Sequence, residues 1–575
     1  MEKQLVRRTV PDSIDLGDDL PAILQRIYAA RGVTSRAELD YQLRSLGSPA
    51  QLKGAAEAAH LLAAEIERGG RILVVGDFDA DGATSTAVAL LGLNVLGARH
   101  LDFRVPSRFT DGYGLTPGII ERLQSDGALP DLLLTVDNGI AAHEGVTAAR
   151  EAGVKVVVTD HHLPGETLPD ADAIVNPNQP GCEFLSKNAA GVGVIFYLLT
   201  VVRQHQRDAG LYAQREQPSL AFLLDLVALG TVADVVPLDH NNRILVDQGL
   251  RRIRAGRTRP GVRALLEVAG RSPENLQASD LGFVLGPRLN AAGRLDDMSV
   301  GIACLLTNDE GRAYELASEL DALNRERRTI EGDMRQQAEA LLEQLSLEGE
   351  GLPWGLCLFD ESWHQGVIGI LASRIKEKVH RPVVAFAADD EGGIKGSARS
   401  IPGLHIRDVL AAIDTSAPGL LKKYGGHAMA AGMSMARDDF ERFQRLFAEH
   451  VEAHASPELF APEIPTDGPL SAAELTLDTA RLLASAGPWG QQFPEPVFDG
   501  EFKPVQQRIV GQRHLKLLLE VPGQDRLIDA IAFNVDTSQW PCDCERIRMA
   551  YQIEANHFRG RESVQLRVIY LERPQ

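Results

Sequence analysis

Short apolar runs that stop at polar, chemistry-bearing residues recur through the first half of the chain. Ile72-Leu73-Val74-Val75 runs into Gly76-Asp77-Phe78-Asp79-Ala80-Asp81-Gly82, and Leu132-Leu133-Leu134-Thr135-Val136 runs into Asp137-Asn138-Gly139. Val154-Lys155-Val156-Val157-Val158-Thr159 leads to Asp160-His161-His162, and Ala173-Ile174-Val175 stops at Asn176-Pro177. Runs this short and this rich in β-branched residues predict buried strands of a parallel sheet. Between them, Thr84-Ser85-Thr86 leads into the apolar Ala87–Leu96 segment, a helix start whose hydroxyls and free amides face the aspartate loop. Leu223–Asp234 is helix-like and places one more acid after an apolar stretch. The acids therefore fall at the C-terminal ends of successive strands, where open α/β sheets bind their ligands.

The pattern changes along the rest of the chain. Residues 1–48 read as a polar, helical capping segment punctuated by Pro11, Pro21 and Pro49. Gly286-Pro287-Arg288-Leu289-Asn290-Ala291-Ala292-Gly293-Arg294 reads as a loop. After it, Leu316, Leu320, Leu323, Ile330, Met334, Leu341 and Leu345 form the stripe of a long connecting helix. A second α/β unit follows, with strands at Trp354–Phe359 and Pro382–Phe386 and a helix opening at Gly366–Ala372. Gly396-Ser397-Ala398-Arg399-Ser400 and Tyr424-Gly425-Gly426-His427-Ala428 read as glycine-hinged loops with donors and no acids. Pro457, Pro462, Pro465 and Pro469 suggest a linker. The alternation in Leu515–Glu520 and Ser563–Tyr570 predicts a small antiparallel barrel. The expected fold is α/β and multidomain. Its parts are a helical segment at 1–48, a parallel-sheet domain at 49–270, a connector with the long helix at 271–345, a second α/β domain at 346–455 and a β-barrel at 456–575.

With 575 residues the chain has room for roughly four domains, and 44% apolar with 24% charged residues is an ordinary globular composition. No apolar run reaches the length of a membrane span, and Met1–Arg8 lacks the apolar core of a signal peptide. Five scattered cysteines, with only Cys542-Asp543-Cys544 close and matching no zinc spacing, predict a reduced, cytoplasmic protein. A net charge of −20 argues against a nucleic-acid partner at first sight. Two facts weaken that argument: acids are needed to hold metal, and Arg251, Arg252, Arg254, Arg257, Arg259 and Arg263 form a run with no acid inside it. That run is either a solvated face or the lining of a channel.

Three crowded carboxylates repel one another, and a divalent cation relieves the repulsion; hard oxygen ligands suit Mg²⁺ or Mn²⁺. Asp77-x-Asp79-x-Asp81-Gly82 resembles the start of an EF-hand loop, but the twelfth position is Val88 and no helix precedes it, which excludes that reading. Turn-forming and capping roles would satisfy one or two of these acids, not three. Asp77, Asp79, Asp81, Asp137, His161 and Asp234 together are enough ligands for two cations sharing a carboxylate, an arrangement suited to in-line displacement at phosphorus. No serine, cysteine or lysine nucleophile with a paired base is evident, and no Walker-type loop, so metal-activated water is the expected attacker.

Gly76–Gly82, Val136-Asp137-Asn138-Gly139, Thr159-Asp160-His161-His162 and Thr231-Val232-Ala233-Asp234 are similar, in order, to the four motifs of the DHH phosphoesterase family. Tyr424-Gly425-Gly426-His427 resembles the Gly-Gly-His motif of that family's companion domain. The arrangement over essentially the whole chain looks like the family's bacterial exonuclease branch. The resemblance implies a single-stranded-DNA-specific 5′→3′ exonuclease that releases 5′-mononucleotides with two Mg²⁺ or Mn²⁺ ions, in DNA recombination and repair. It implies Asp77, Asp79, Asp81, Asp137, His161 and Asp234 as metal ligands, with Asp137 bridging. Asp79, Asp81, Asp137, His161 and His162 would carry the chemistry, His162 contacting the scissile phosphate and Asp160 standing behind the ligands. Many smaller members begin the first motif with histidine, so Asp77 is either a ligand or a support for Asp79 and Asp81. Arg108, Arg288, Asn290, Ser397, Arg399, Gly425, Gly426 and His427 resemble groups that hold substrate phosphates. The C-terminal segment resembles an OB-fold that binds single strands. Implied partners are single-stranded DNA, single-stranded-DNA-binding protein and a RecQ-type helicase, with no membrane, for a monomer. The alternative keeps the chemistry and changes the substrate: a DHH-type phosphodiesterase acting on oligoribonucleotides or cyclic dinucleotides.

Overall fold

The computed structural model describes residues 3–11, 14–108, 111–347, 352–389, 392–558 and 560–572. The chain divides into two compact units: Arg8–Asn324 with Asp467–Pro574, and Arg325–Thr466 with the N-terminal residues up to Arg7.

The larger unit is built on a five-stranded parallel sheet. Its order is His100–Arg104, Arg71–Val75, Leu132–Val136, Lys155–Thr159 and Ala173–Val175. The three middle strands bury nearly every side chain, which explains their unbroken apolar character. Helices cover both faces. Ala87 and Leu93 of helix Ala80–Val95, with Ile195, Leu199 and Leu226, pack on the Val74 face. Ile119, Ile120 and Val146 pack on the Leu73 and Val75 face. Register sets the site: Val75 lies opposite Thr135, and Val136 opposite Thr159, so three successive strands end in line. His100–Arg104, the edge strand, had no clear signal in the sequence; it alternates exposed and half-buried residues.

The same unit contains the C-terminal barrel. Strands Phe498–Val510, His514–Glu520, Leu527–Ala532, Arg561–Glu572 and Ile547–Phe558 close on one another in that order. Leu515, Leu517 and Leu519 point inward on alternate positions, as the sequence pattern predicts. All its neighbours are antiparallel except Leu527–Ala532 with Arg561–Glu572. Cys542 and Cys544 form a disulfide, which corrects the expectation of a wholly reduced set; Cys182, Cys304 and Cys357 are free.

In the smaller unit a mixed sheet runs Lys423–Gly426, Ala430–Ala436, Gly393–Arg399, Val383–Ala388, Leu356–Phe359. Only the last pair is parallel. The two segments read as glycine-hinged loops are thus largely strands. Gly396 serves packing: a Cβ there would stand 2.4 Å from the Phe386 ring. Gln4–Arg7, expected to be helical, is a strand paired in parallel with Glu463–Thr466.

The long helix spans Glu310–Leu347, and its Leu316, Leu320 and Met334 are buried as the stripe requires; the Leu345 side chain lies outside the described residues. Gly286–Leu295 is a helix, not a loop. Its glycines allow close approach, since a Cβ on Gly293 would lie 1.8 Å from the Phe78 carbonyl oxygen.

The arginine run is mostly structural. Arg254 donates to the Leu276 carbonyl, and Arg259 donates to the carbonyls of Leu305, Leu306 and Thr307 at a helix C-terminus. Arg251 pairs with Asp247 and Arg263 with Glu310. Among the described residues no helix is long and apolar enough to cross a membrane.

Candidate metal centre

The aligned strand ends deliver their acids to one place. Asp79 caps helix Ala80–Val95, its carboxylate accepting from the Gly82 amide at 3.0 Å. That leaves Asp81 in the first turn, buried, with its two oxygens accepting from the amides of Gly191 (2.7 Å) and Val192 (3.0 Å). Asp137 follows its strand with φ +61°, a conformation few non-glycine residues adopt and one concentrated at functional sites. Asp234 ends helix Leu224–Ala233. Nε2 of His161 lies 3.1 Å from Oδ1 of Asp137 and 3.5 Å from Oδ2 of Asp234. Glycines make the room: a Cβ on Gly191 would stand 2.6 Å from the Asp137 side chain, and one on Gly230 2.8 Å from Oδ1 of Asp81.

Ligand atoms fall into three groups, each within 4.8 Å: Asp77, Asp79 and Asp137; Asp81, His161 and Asp234; Asp137, His161 and His162. Asp137 and His161 each belong to two of them. Burial, compounded by neighbouring carboxylates, pushes Asp77 and Asp137 well above the usual carboxylate range, Asp81 to about 7 and Asp234 to about 8. Burial and the neighbouring His162 hold His161 below its ordinary value, so its imidazole is neutral and able to ligate. Asp137 Oδ1 and His161 Nε2 are both buried and make no hydrogen bond despite their proximity. Two orphaned ligand atoms facing each other amid uncompensated acids fit a cation.

His162 and Asp160 are differently placed. One Asp160 oxygen accepts from Nδ1 of His162 at 2.7 Å and from the amides of His161 and His162, and the other accepts from the Ile140 amide. Burial alone would raise Asp160, but these partners hold it near 2. Burial would likewise depress His162, and the Asp160 carboxylate outweighs it, lifting His162 to about 9.

Comparison with known proteins settles the family. The chain is 55% identical over 568 residues to the single-stranded-DNA-specific exonuclease RecJ of Salmonella typhimurium, covering 98% of each chain. The chain belongs to the RecJ family. Its similarity to the Escherichia coli RecJ is 55% over 98% of both chains. Family models match at 71–231 (DHH family, N-terminal domain), 354–453 (DHHA1 domain) and 466–570 (RecJ OB domain). Crystal structures of Thermus thermophilus RecJ in complex with Mn²⁺ and with Mg²⁺ superpose with TM-scores of 0.79 and 0.74, at 32% and 30% identity. They cover 96% and 97% of this chain and 76% and 75% of theirs.

Within this RecJ-family chain the remaining expected residues divide. Arg108 stacks on the Phe78 ring at 4.0 Å and donates to the Gly293 carbonyl; burial lowers it while Asp77 and Asp79 raise it. Arg288 is committed elsewhere, with a two-pronged bond to Asp321 (3.0 and 2.9 Å) and one to the Val284 carbonyl. Asn290 uses its side-chain oxygen to accept from the Ala80 amide at 2.8 Å, so it fixes the helix that carries Asp79 and Asp81. In the smaller unit the Arg399 guanidinium donates to Oγ of Ser397 at 3.0 Å, beside Gly369, where a Cβ would lie 2.7 Å from the guanidinium. Gly425 has open space around it, Gly426 takes φ +147°, and the His427 amide donates to the Ala430 carbonyl.

Sequence reasoning missed two contributors. Tyr113 places its hydroxyl 3.4 Å from the Asp137 carbonyl oxygen and within 3.5 Å of the His162 ring nitrogens. Asn138 donates to the Val75 and Val136 carbonyls, locking two strand ends together. Its place inside Val136-Asp137-Asn138-Gly139 was the available signal; Tyr113 lies in a glycine-flanked turn with no such marker.

Proposed function

We propose that this chain is a single-stranded-DNA-specific exonuclease that works from the 5′ end and releases 5′-mononucleotides. The observation that carries the proposal is the cluster of Asp77, Asp79, Asp81, Asp137, His161 and Asp234 at aligned strand ends, with raised acids and orphaned ligand atoms, in a RecJ-family chain. Asp79, Asp81, Asp137, His161 and Asp234 would hold Mg²⁺ or Mn²⁺, and Asp137, which belongs to two of the ligand groups, would serve both. Asp77, bonded to the Phe78 amide, completes the first group. Two bound cations supply an activated water and charge neutralisation at the leaving oxygen.

The chain's own residues do the rest. Asp160 orients both histidines and keeps His162 charged, and His162 presents that charge to the scissile phosphate. Arg108, Ser397, Arg399, Gly425, Gly426 and His427 bind strand phosphates, the glycines by letting the backbone approach. In the balanced reaction a P–O bond to water forms and the P–O3′ bond breaks. The terminal nucleotide leaves with a 3′-hydroxyl, and the shortened strand keeps a 5′-phosphate. The barrel binds the trailing strand mainly through its backbone charge. Recombination and repair in the cytoplasm, as a monomer, with single-stranded-DNA-binding protein and a RecQ-type helicase supplying substrate, is the setting the family resemblance supports.

End-labelled single-stranded DNA offered beside cyclic dinucleotides and short oligoribonucleotides, with Mg²⁺ or Mn²⁺, tests the reading. Rapid release of mononucleotides from DNA is expected. Preferential hydrolysis of the cyclic or ribose substrates would transfer the site to the small-phosphodiesterase class.

A further inference from the structure

In the smaller unit the strands Gly393–Arg399, Ala430–Ala436 and Lys423–Gly426 lie side by side, with Ala430–Ala436 in the middle. Ile394, Ala398, Ala431, Met433 and Met435 turn inward to the core. Alternation puts Lys395, Ser397 and Arg399 on the opposite face, with Gly432 and Ser434 from the middle strand and Lys423 and Gly425 from the outer one. Register sorts these residues into rungs. Ser397 lies opposite Gly432, and Gly432 opposite Gly425; Lys395 lies opposite Ser434, and Ser434 opposite Lys423.

The first rung is the one assigned above to a strand phosphate: the Arg399 guanidinium donates to Oγ of Ser397, and a Cβ on Gly425 would meet nothing within 4 Å. The second rung lies one pleat repeat away on all three strands, about 6.6 Å. That step is comparable to the separation of neighbouring phosphates in an extended single strand. Across the second rung, Lys395 and Lys423 stand two strand spacings apart, about 9.6 Å, with Ser434 between them. Both lysines are exposed, and neither makes a hydrogen bond or ion pair among the described residues. Two ammonium groups on long, flexible stems flanking one hydroxyl can close on a single phosphate. Deterring unwanted pairing at a sheet edge would explain Lys423 but not Lys395, whose strand is paired on both sides.

We propose that Lys395, Ser434 and Lys423 form a second phosphate site, so that this sheet face holds two consecutive phosphates of the single strand. This rests on the exonuclease reading above and adds one subsite to it. A lysine neutralises a phosphate as a point charge and reads no base, so the site grips strands of every sequence alike.

The test uses the full-length protein with Mn²⁺ and single-stranded oligonucleotides. Lys395→Ala combined with Lys423→Ala is expected to raise KM several-fold, equally for strands of different sequence, while kcat changes far less. The dependence of log KM on log salt should flatten by about 0.7, the share of one phosphate contact on a single strand. Lys395→Arg combined with Lys423→Arg restores both. A neutral methylphosphonate, moved linkage by linkage from the 5′ end, raises the wild-type KM at one linkage and adds nothing there in the double alanine variant. Removing the terminal 5′-phosphate affects the two proteins alike. An unchanged KM and salt slope in the double alanine variant, or linkage profiles identical in both proteins, overturns the second site while leaving the exonuclease reading intact. A variant that instead loses its response to the terminal 5′-phosphate places the lysines on the first rung and overturns it as well. A wild-type protein that degrades no DNA removes the exonuclease reading and this inference with it.

Discussion

One oxygen of Asp160 stands 2.7 Å from Nδ1 of His162 and also accepts the backbone amides of His161 and His162, at 2.7 and 3.1 Å. A single buried carboxylate therefore sets the orientation of both histidines and the charge of one. Asp160→Asn keeps the shape and removes the charge. Turnover on single-stranded DNA should fall ~10–100-fold, the range for groups that orient ligands from behind, with little loss of folded protein by circular dichroism.

The raised acids predict how the metal-free protein responds to pH. Asp81 and Asp234, at about 7 and about 8, bind their protons more tightly in the folded chain than in the unfolded one. Their contribution to stability is fully present at low pH and is lost as pH rises through those values. In chelator, Tm should fall between about pH 4, the ordinary carboxylate range, and about pH 8, the folded value of Asp234, and Mn²⁺ should reverse the fall. Asp137→Asn removes one of the mutually repelling charges, so its metal-free form should be more stable than wild type at the upper pH, with only a small Mn²⁺ effect and no nuclease activity. A wild-type Tm that rises with pH in chelator would contradict this account of the cluster.

How much of this was legible from the sequence differed by kind of signal. The apolar runs ending at Asp77, Asp137 and Asp160 announce parallel strands and a shared edge because buried strands need continuous apolar residues and the acids follow them locally. Gly286–Arg294 and Gly396–Ser400 misled because glycine marks both turns and close packing, and only the neighbours, the Phe78 carbonyl and the Phe386 ring, tell these apart. The contacts of the arginine run were not legible because most of its partners are distant in sequence: Leu276, Leu305, Leu306 and Glu310. The contacts of Arg288 with Asp321 and of Asn290 with the Ala80 amide are likewise invisible locally.

The N-terminal segment carries a stability prediction of its own. Arg31 makes a two-pronged bond to Asp467 (2.7 and 3.0 Å) and donates to the Ile27 and Pro494 carbonyls, with both charged side chains buried. Removing one partner strands the other charge away from water. Arg31→Ala and Asp467→Ala should each cost about 3–5 kcal/mol in chemical unfolding. The double variant should cost less than their sum, because the pair is lost only once.

The central claim is that the carboxylate cluster is the seat of nuclease chemistry, and Asp79 tests it most directly. It belongs to the first group of candidate ligands and caps the helix that carries Asp81. The decisive measurement is mononucleotide release from single-stranded DNA with Mn²⁺, comparing wild type with Asp79→Ala at matched folded concentration. The account predicts stepwise release from the 5′ end by wild type and a loss of at least about three orders of magnitude in the variant, of the size seen when a group central to catalysis is removed. Undiminished release by Asp79→Ala would contradict it.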